Sequence, residues 1–245
     1  MATQNAINNT GTFESLTLSE PTINTPIIDD PSFTGDFDGW IGAGETWTYA
    51  SATTFTVSGD VTSKYEPGTL LKFTQATDGQ KYAVVASTSY SAPDTTITVI
   101  ENDDYDIDNE AITAPYYSRT NNPASFPTKF EWSTTWGGFS ADPTSTLYFS
   151  TQGRRIFIYM EGGLGATAGT SNATSTTMTL PIAPSLTDLS YAHMRVQDNG
   201  SATNNTGAVW LNGVNTTVSL YPNLVGGLWT GSGAKNIIGN FDYPF

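Results

Sequence analysis

An acidic run at positions 101–110, "ENDDYDIDNE", is the densest group of side chains that could do chemistry, with six acids in ten residues. Carboxylate oxygens are the ligands that calcium prefers, and the alternate aspartates from Asp104 to Asp108 resemble the start of an EF-hand loop. That loop has a glycine at its sixth position and a glutamate at its twelfth, whereas Asn109 and Pro115 stand there in this sequence. A solvated loop and an irregular cation site both stay open; we expect the solvated loop and predict no metal site and no cofactor.

The only histidine, His193, lies in "YAHMRVQD", where polar and apolar residues alternate. A period of two predicts a strand with His193 on its outer face, beside Tyr191 and Arg195. Because the chain has one histidine and no cysteine, it has neither a histidine-ligated zinc centre nor a catalytic Cys–His pair. A Ser-His-Asp triad is not supported either, since no serine has the flanking glycines of a nucleophile elbow. Glycoside hydrolysis needs only two carboxylates, but the chain lacks the length and repeats of a large β-helix. We therefore predict that the protein is not an enzyme.

Aromatic side chains offer a different chemistry, since the chain has six tryptophans and twelve tyrosines and aromatic faces stack on sugars. Trp210 in "GAVWLNG" and Trp229 in "GLWTGSG" stand beside turn residues, where a ring can be exposed. Two interpretations stay open for both residues, contact with a ligand and burial in the core of a sandwich.

Strands are the elements that would position these side chains. Thr, Ser, Gly and Asn are abundant, and of these Thr favours strands while Gly and Asn favour tight turns. Helical stretches rich in Lys, Glu and Ala are missing. Short alternating runs end in turn dipeptides such as Asp78-Gly79. The sequence predicts an all-β protein, with a small antiparallel β-barrel-like module at 36–132 and a jelly-roll-like β-sandwich at 133–245.

The alternation also predicts the individual strands. In the first module they lie at 54–59, 64–75, 81–90 and 95–100, and in the second at 145–163 (a hairpin around Gln152-Gly153), 175–182, 192–198, 207–213, 216–222 and 235–245. Residues 36–46 are predicted to be a connection. Residues 115–132 contain three prolines and are predicted to be an ordered crossover between the modules.

The segment 16–35 combines evenly spaced prolines with large apolar residues. Its prolines stand at 21, 26 and 31, and each removes a backbone donor and disfavours helical geometry just before it. The segment is therefore predicted to be extended, and an extended strand cannot bury its own isoleucines. Residues 1–15 are polar and without periodicity, which predicts a flexible tail unless a partner holds it.

Charge and hydropathy limit the possible partners. The net charge is −14 and the first basic residue is Lys64, which argues against nucleic acid because phosphate binding needs clustered cations. No apolar run approaches the length of about 20 residues that a membrane span needs, and the N-terminus lacks the basic start and hydrophobic block of a signal peptide. We expect a protein made in the cytoplasm, with no membrane insertion.

Several motifs, in this order along one chain, resemble structural proteins of tailed bacteriophages. They are "LTLSEPTINTPIIDDPSFTG", "DGWIGAGETWTYASATTFTVSGDVTSKYEPGTLLKFTQ", "KYAVVASTSYSAPDTTITV" and "GRRIFIYMEGGLGATAGTSNATSTTMTLPIA". The resemblance implies a virion component, made in the host cytoplasm, without specifying which one, and our interpretation is a homotrimeric fibre of the tail or head. It also implies that residues 1–15 dock on other virion proteins and that the C-terminal domain touches the host surface, where a glycan is the expected ligand.

An intertwined trimer would explain the proline-spaced segment, since each extended copy would cover the apolar side chains of the other two. The residues expected at the trimer contact are Ile23, Ile27, Ile28 and Phe33. Three alternatives stay open: an extended arm that packs on its own domain, a capsid decoration protein that binds no receptor, and a monomeric carbohydrate-binding module.

Overall fold

The computed structural model describes residues 38–139, 144–160, 176–186, 190–199, 201–211, 213 and 215–245, without the side chains of 201–205. From Asp38 to Phe245 the chain forms one compact unit. The predicted tail (1–15) and shaft (16–35) lie outside the described residues, together with the four expected trimer-contact residues Ile23, Ile27, Ile28 and Phe33. The trimer therefore stays a prediction.

Seven antiparallel strands form the first sheet. They are β1 (Ile41–Gly42), β2 (Trp47–Ser51), β3 (Thr54–Ser58), β4 (Leu70–Gln75), β5 (Gly79–Ser91), β6 (Asp94–Val99) and β7 (Thr113–Ser118), in the order β1-β7-β4-β5-β6-β3-β2. The long strand β5 pairs with β4 through its first half and with β6 through its second half, and the register shifts between Val85 and Ser87. This irregularity bends β5, and the sheet curls around a core that includes Trp47, Phe55 and Phe73.

Nine antiparallel strands form the second sheet. They are β8 (Phe130–Gly137), β9 (Thr144–Gln152), β10 (Arg155–Tyr159), β11 (Thr176–Thr179), β12 (Ser190–Asp198), β13 (Ser201–Leu211), β14 (Thr217–Tyr221), β15 (Asn236–Ile238) and β16 (Asn240–Pro244), in the order β15-β12-β13-β14-β11-β8-β9-β10-β16. Strand β8 pairs with β9 first and with β11 at its end, so the sheet folds over at β8. The two edge strands of this sheet, β15 and β16, are consecutive in the chain and are separated only by Gly239, so they lie next to each other at that point.

The all-β class predicted from the sequence is confirmed, since the described residues form two antiparallel sheets and contain no helix. Two hairpin turns also lie where they were predicted, with Gly79 at φ 74° and Gly153 at φ 57°. These positive φ angles explain the glycines, because a side chain strains the backbone there. Accordingly, the part of the chain that the structure describes has no helix able to cross a membrane.

Some elements differ from the prediction. Strand β7 begins before the predicted crossover at 115–132 and lies between β1 and β4, and β1 lies inside the predicted connection at 36–46. Pro115 cannot donate to a neighbouring strand, but its carbonyl accepts a hydrogen bond from the Ala43 N–H at 2.9 Å. The C-terminal segment forms two strands rather than one. Strand β8 runs across the proposed module boundary at 132/133, and that boundary stays a prediction.

A continuous group of aromatic rings joins the two sheets. Tyr82 of the first sheet lies 5.9 Å from Phe126, and Phe126 lies 5.6 Å from Phe130 of the second sheet, between ring centroids. Phe130 in turn stacks on Phe149 at 5.3 Å. The hydrophobic core of the second sheet therefore includes residues of the first, so the two sheets pack as one body.

Candidate functional site

Trp229 is buried, so the interpretation that it contacts a ligand is wrong. Its side chain is 2% exposed, and its indole N–H donates a hydrogen bond to the Leu220 carbonyl at 2.7 Å. The glycines around it do form a turn, but the turn directs the ring inward. Trp229 therefore holds the segment after β14 against the core.

Trp210 lies on the outer face of the second sheet, within an aromatic group. Its ring is half-buried and lies beside Tyr191 of β12, directly across the strand pair, with 6.0 Å between centroids. Tyr221 of β14 lies diagonally across on the other side at 4.4 Å. We call these three residues the aromatic platform. Tyr191 is 61% exposed, so the platform presents ring surface to solvent.

The small residue Ala208 gives the platform its spacing. It stands opposite both His193 and Tyr221 on the same face, yet it is only 2% exposed. Because Ala208 occupies little space, the Tyr221 ring opposite it can approach Trp210, which stands two residues further along β13. A larger residue there would displace Tyr221 from Trp210.

The loop from Pro222 to Trp229 borders the platform on one side. Gly226 has φ +76°, and a β-carbon at this position would lie 2.9 Å from two ring carbons of Trp210. The Asn223 side-chain oxygen accepts hydrogen bonds from the Val225 and Gly227 N–H groups at 3.1 and 2.8 Å, which fixes the loop conformation. The large apolar residues of this loop are exposed: Leu224, Val225 and Leu228. They form an apolar rim.

Two basic side chains continue the platform along β12. His193 and Arg195 are exposed on the same face as Tyr191, while Met194 and Val196 are buried, which confirms the alternation predicted for this strand. Arg195 makes no ion pair with any described residue. The outward residues of β11 to β15 that the structure describes include no Asp or Glu. They are Thr177, Thr179, Tyr191, His193, Arg195, Gln197, Thr206, Ala208, Trp210, Thr217, Ser219, Tyr221, Asn236 and Ile238.

The acidic run at 101–110 is bonded within the protein. Asp104 accepts a hydrogen bond from the Glu131 N–H at 2.6 Å, which attaches the run to β8. Glu110 accepts hydrogen bonds from the Thr77 N–H and hydroxyl at 3.0 and 3.2 Å. These carboxylates connect the loop to two neighbouring segments instead of converging on one point.

Lys81 provides the positive charge at the centre of this loop. It is 2% exposed, and its ammonium group donates to the Asp108 carboxylate at 2.5 Å, the Asp78 carboxylate at 3.1 Å and the Asp106 carbonyl at 2.5 Å. An ammonium therefore stands in the loop for which an irregular cation site had stayed open as the alternative. Elsewhere in the described ranges, too, no three metal-ligating side chains come close enough to hold an ion.

These contacts shift the pKa values of Lys81 and Asp108. Hydrogen bonds from Lys81 lower the pKa of Asp108 below its ordinary value, although burial acts in the opposite direction. Burial alone would lower the pKa of Lys81, but the hydrogen bonds and charges of Asp108 and Asp78 outweigh it and raise that pKa. Both groups are thus held in their charged forms, as expected for a structural ion pair.

A second buried lysine orders the end of the sheet. Lys235 is 0% exposed and donates to the Asp198 carboxylate at 2.6 Å, the Thr230 carbonyl at 2.6 Å and the Ser232 carbonyl at 3.0 Å. Burial favours the neutral form of Asp198, but hydrogen bonds from Lys235 and Thr230 outweigh it and lower the pKa of Asp198. This pair ties the end of β12 to the segment that leads into β15.

Two grooves of ≈ 410 Å³ each lie on the part of the molecule that the structure describes. One lies between β2 and residues 109–112, and the other lies between the second half of β5 and residues 181–183. Each groove has one carboxylate in its lining, Glu110 in the first and Glu101 in the second. The pair of carboxylates that glycoside hydrolysis uses is not assembled in either groove.

The aromatic platform was only partly predictable. Trp210 was singled out because it precedes a turn, whereas Tyr191 and Tyr221 were not. For Tyr221 a signal was present, because it alternates with the buried Leu220 and Pro222 in the predicted strand 216–222, but only strand pairing shows that the three rings meet. Comparison of the chain with protein-family models and with curated proteins found no match.

Proposed function

We propose that this chain is a structural virion protein of a tailed bacteriophage, a homotrimeric fibre that attaches to the particle through its N-terminus. In this proposal the second sheet faces the host and adsorbs to a surface glycan without hydrolysing it. The aromatic platform is the observation that supports this function. It is a group of three neighbouring rings on a sheet face, one of them exposed and two half-buried, and aromatic rings stack on the apolar faces of sugars.

The surroundings of the platform also suit a binding role. Hydroxyl side chains lie near the rings on the outer face, including Thr177, Ser219 and Thr206, and they can pair with sugar hydroxyls. The loop that borders Trp210 is held by its own hydrogen bonds and by the buried Trp229. A preorganised surface loses less conformational entropy on binding, and three copies at one tip would add avidity.

Binding of the full-length chain to host cells tests the proposal. Fluorescently labelled Tyr191→Ala protein should lose most of its cell binding, because the substitution removes the most exposed ring of the platform. Tyr90→Ala is the matched control: Tyr90 is also an exposed strand tyrosine, at 44%, but it belongs to the first sheet. Equal binding by the two variants would contradict the proposed site.

The same preparation tests the assembly. Light scattering should give about three times the mass of one chain. A mass of one chain would remove the fibre from the proposal and leave a monomeric carbohydrate-binding module. Normal particles that bind cells equally well without this protein would instead favour a capsid decoration role.

A further inference from the structure

We propose that the saccharide bound by the aromatic platform is acidic, and that Arg195 binds its carboxylate while the rings stack on the sugar. This inference rests on the proposed function, because it names the class of ligand for the same site. The observation behind it is that the aromatic platform, with its exposed Tyr191, lies on the same sheet face as the exposed side chains of His193 and Arg195.

Charge distinguishes this face from the rest of the molecule. The chain has 23 acidic and 9 basic residues, so a surface chosen at random should be acidic. The described outward residues of β11 to β15 nevertheless include His193 and Arg195 and no carboxylate. Arg195 is exposed and forms no ion pair with a described residue, so its guanidinium is available to an outside anion.

The register places the cation at a suitable distance from the rings. His193 lies in the same side-chain row as Tyr221, with Ala208 between them, and Arg195 lies in the next row, opposite Thr206. Successive rows on one face of a strand are about 7 Å apart, which a long arginine side chain can span. Strand β13 lies between β12 and β14, which adds two strand spacings of about 4.8 Å each between Arg195 and Tyr221. A sugar stacked on Tyr221 and extending over Ala208 would therefore have an edge within reach of Arg195.

The chemistry of the ligand follows from these positions. In a hexuronic acid the carboxylate is attached directly to the ring, so it projects from the ring edge at a fixed distance from the stacked face. The planar guanidinium can pair with that carboxylate through two parallel hydrogen bonds. A phosphate ester, in contrast, extends from the ring on a flexible arm, so the fixed spacing on this sheet favours the carboxylate.

Calorimetric titration of the full-length protein with two matched trisaccharides tests the inference. One is an α-linked trimer of galacturonic acid, and the other is its carboxyl-reduced counterpart. The wild-type protein should bind the acidic trimer about tenfold more tightly, as expected for one charge-assisted contact. Arg195→Gln should abolish this preference and leave the affinity for the reduced trimer unchanged.

Arg155→Gln serves as the matched control. Arg155 is an exposed arginine of β10, in the other half of the second sheet, and its loss should leave the preference intact. Equal affinity of the wild type for the two trimers, no binding of the acidic trimer, or a preference that survives Arg195→Gln would overturn the inference. Tighter binding of galactose 6-phosphate than of galacturonic acid would also overturn it.

These outcomes are separable from those of the cell-binding assay. If cell binding requires Tyr191 but the carboxylate has no effect, the proposed function stands and the acidic ligand is rejected. If Tyr191→Ala protein binds cells normally, the proposed function fails whatever the trisaccharides show.

Discussion

At the scale of single residues, two buried lysines determine how the neighbouring carboxylates are used. Lys81 and Lys235 are each bonded to three oxygens, but their surroundings differ. The side chains of Asp78 and Asp108 are 59% and 38% exposed, whereas that of Asp198 is 17% exposed. Water can therefore replace Lys81 more easily than it can replace Lys235.

This difference predicts unequal effects of the same substitution. Lys235→Met should lower the free energy of unfolding by about 3 kcal/mol or more, because it leaves a largely buried carboxylate without its cation. Lys81→Met should cost clearly less, because Asp78 and Asp108 can be rehydrated. Urea unfolding of the two variants measures both losses, and equal losses would show that exposure of the carboxylate does not control the effect.

The sequence predicted the acidic loop but not its counterion. Lys81 stands 27 residues before Asp108, and only the pairing of β4 with β5 and the return of the chain bring the two together. Trp229 shows the same limit, because the glycines beside it predict a turn but do not show that the ring points inward, where it donates to the Leu220 carbonyl. Residue types indicate which chemistry is available, while tertiary contacts decide which groups remain free.

At the scale of elements, the loop from Pro222 to Trp229 supports the platform through a single glycine. Gly226 combines a left-handed backbone angle with close contact to the Trp210 ring. Gly59 has a similar angle, φ +87°, but a β-carbon there would meet nothing within 4 Å. The two glycines therefore separate the effect of backbone strain from the effect of contact with the ring.

Alanine substitutions at these glycines should have different consequences. Both should lose about 1–2 kcal/mol of stability, the ordinary strain of a side chain in a left-handed conformation. Only Gly226→Ala should change the near-ultraviolet circular dichroism of the aromatic residues and weaken glycan binding, because it pushes against Trp210. If Gly59→Ala changed the spectrum to the same extent, the contact at Gly226 would have no special role.

Local signals explain which elements were predictable. Hairpins with a glycine at a positive φ angle were found because turn and strands are adjacent in sequence, as at Gly79 and Gly153. Strands β1 and β7 were not predicted because they pair with each other across more than seventy residues. In addition, Pro115 lies within β7, and a proline argues against a strand in the sequence. Alternation identifies strands that have one buried face, but β7 is exposed along much of its length.

At the scale of the whole molecule, the shared core should make the two sheets unfold together. Trp40, Tyr82 and Val84 of the N-terminal part belong to the same buried cluster as Phe130 and Phe149 of the second sheet. Contacts of this kind couple the stability of neighbouring elements, because the loss of one exposes apolar surface on the other. The all-β class could be predicted from composition, but this coupling could not.

Phe55→Ala tests the coupling, since Phe55 is 0% exposed and belongs only to the separate core of the first sheet. The substitution should cost about 3–5 kcal/mol. In hydrogen exchange, the slowest amides of β9 and β13 in the second sheet should lose protection by the same free energy as those of β4. Unchanged protection in the second sheet would mean that the sheets unfold independently.

The ring contacts between the sheets also affect how the molecule resists mechanical tension along the chain. Residues 119–129 are the one covalent connection between β7 and β8, so tension between Asp38 and the aromatic platform has to pass from one sheet to the other. Because Tyr82, Phe126 and Phe130 pack side by side, the connection cannot lengthen until these rings separate. If the chain is the proposed fibre, a pull on the particle would be resisted first by the packing of these aromatic side chains, and the polypeptide between the sheets would bear tension only after that packing had failed.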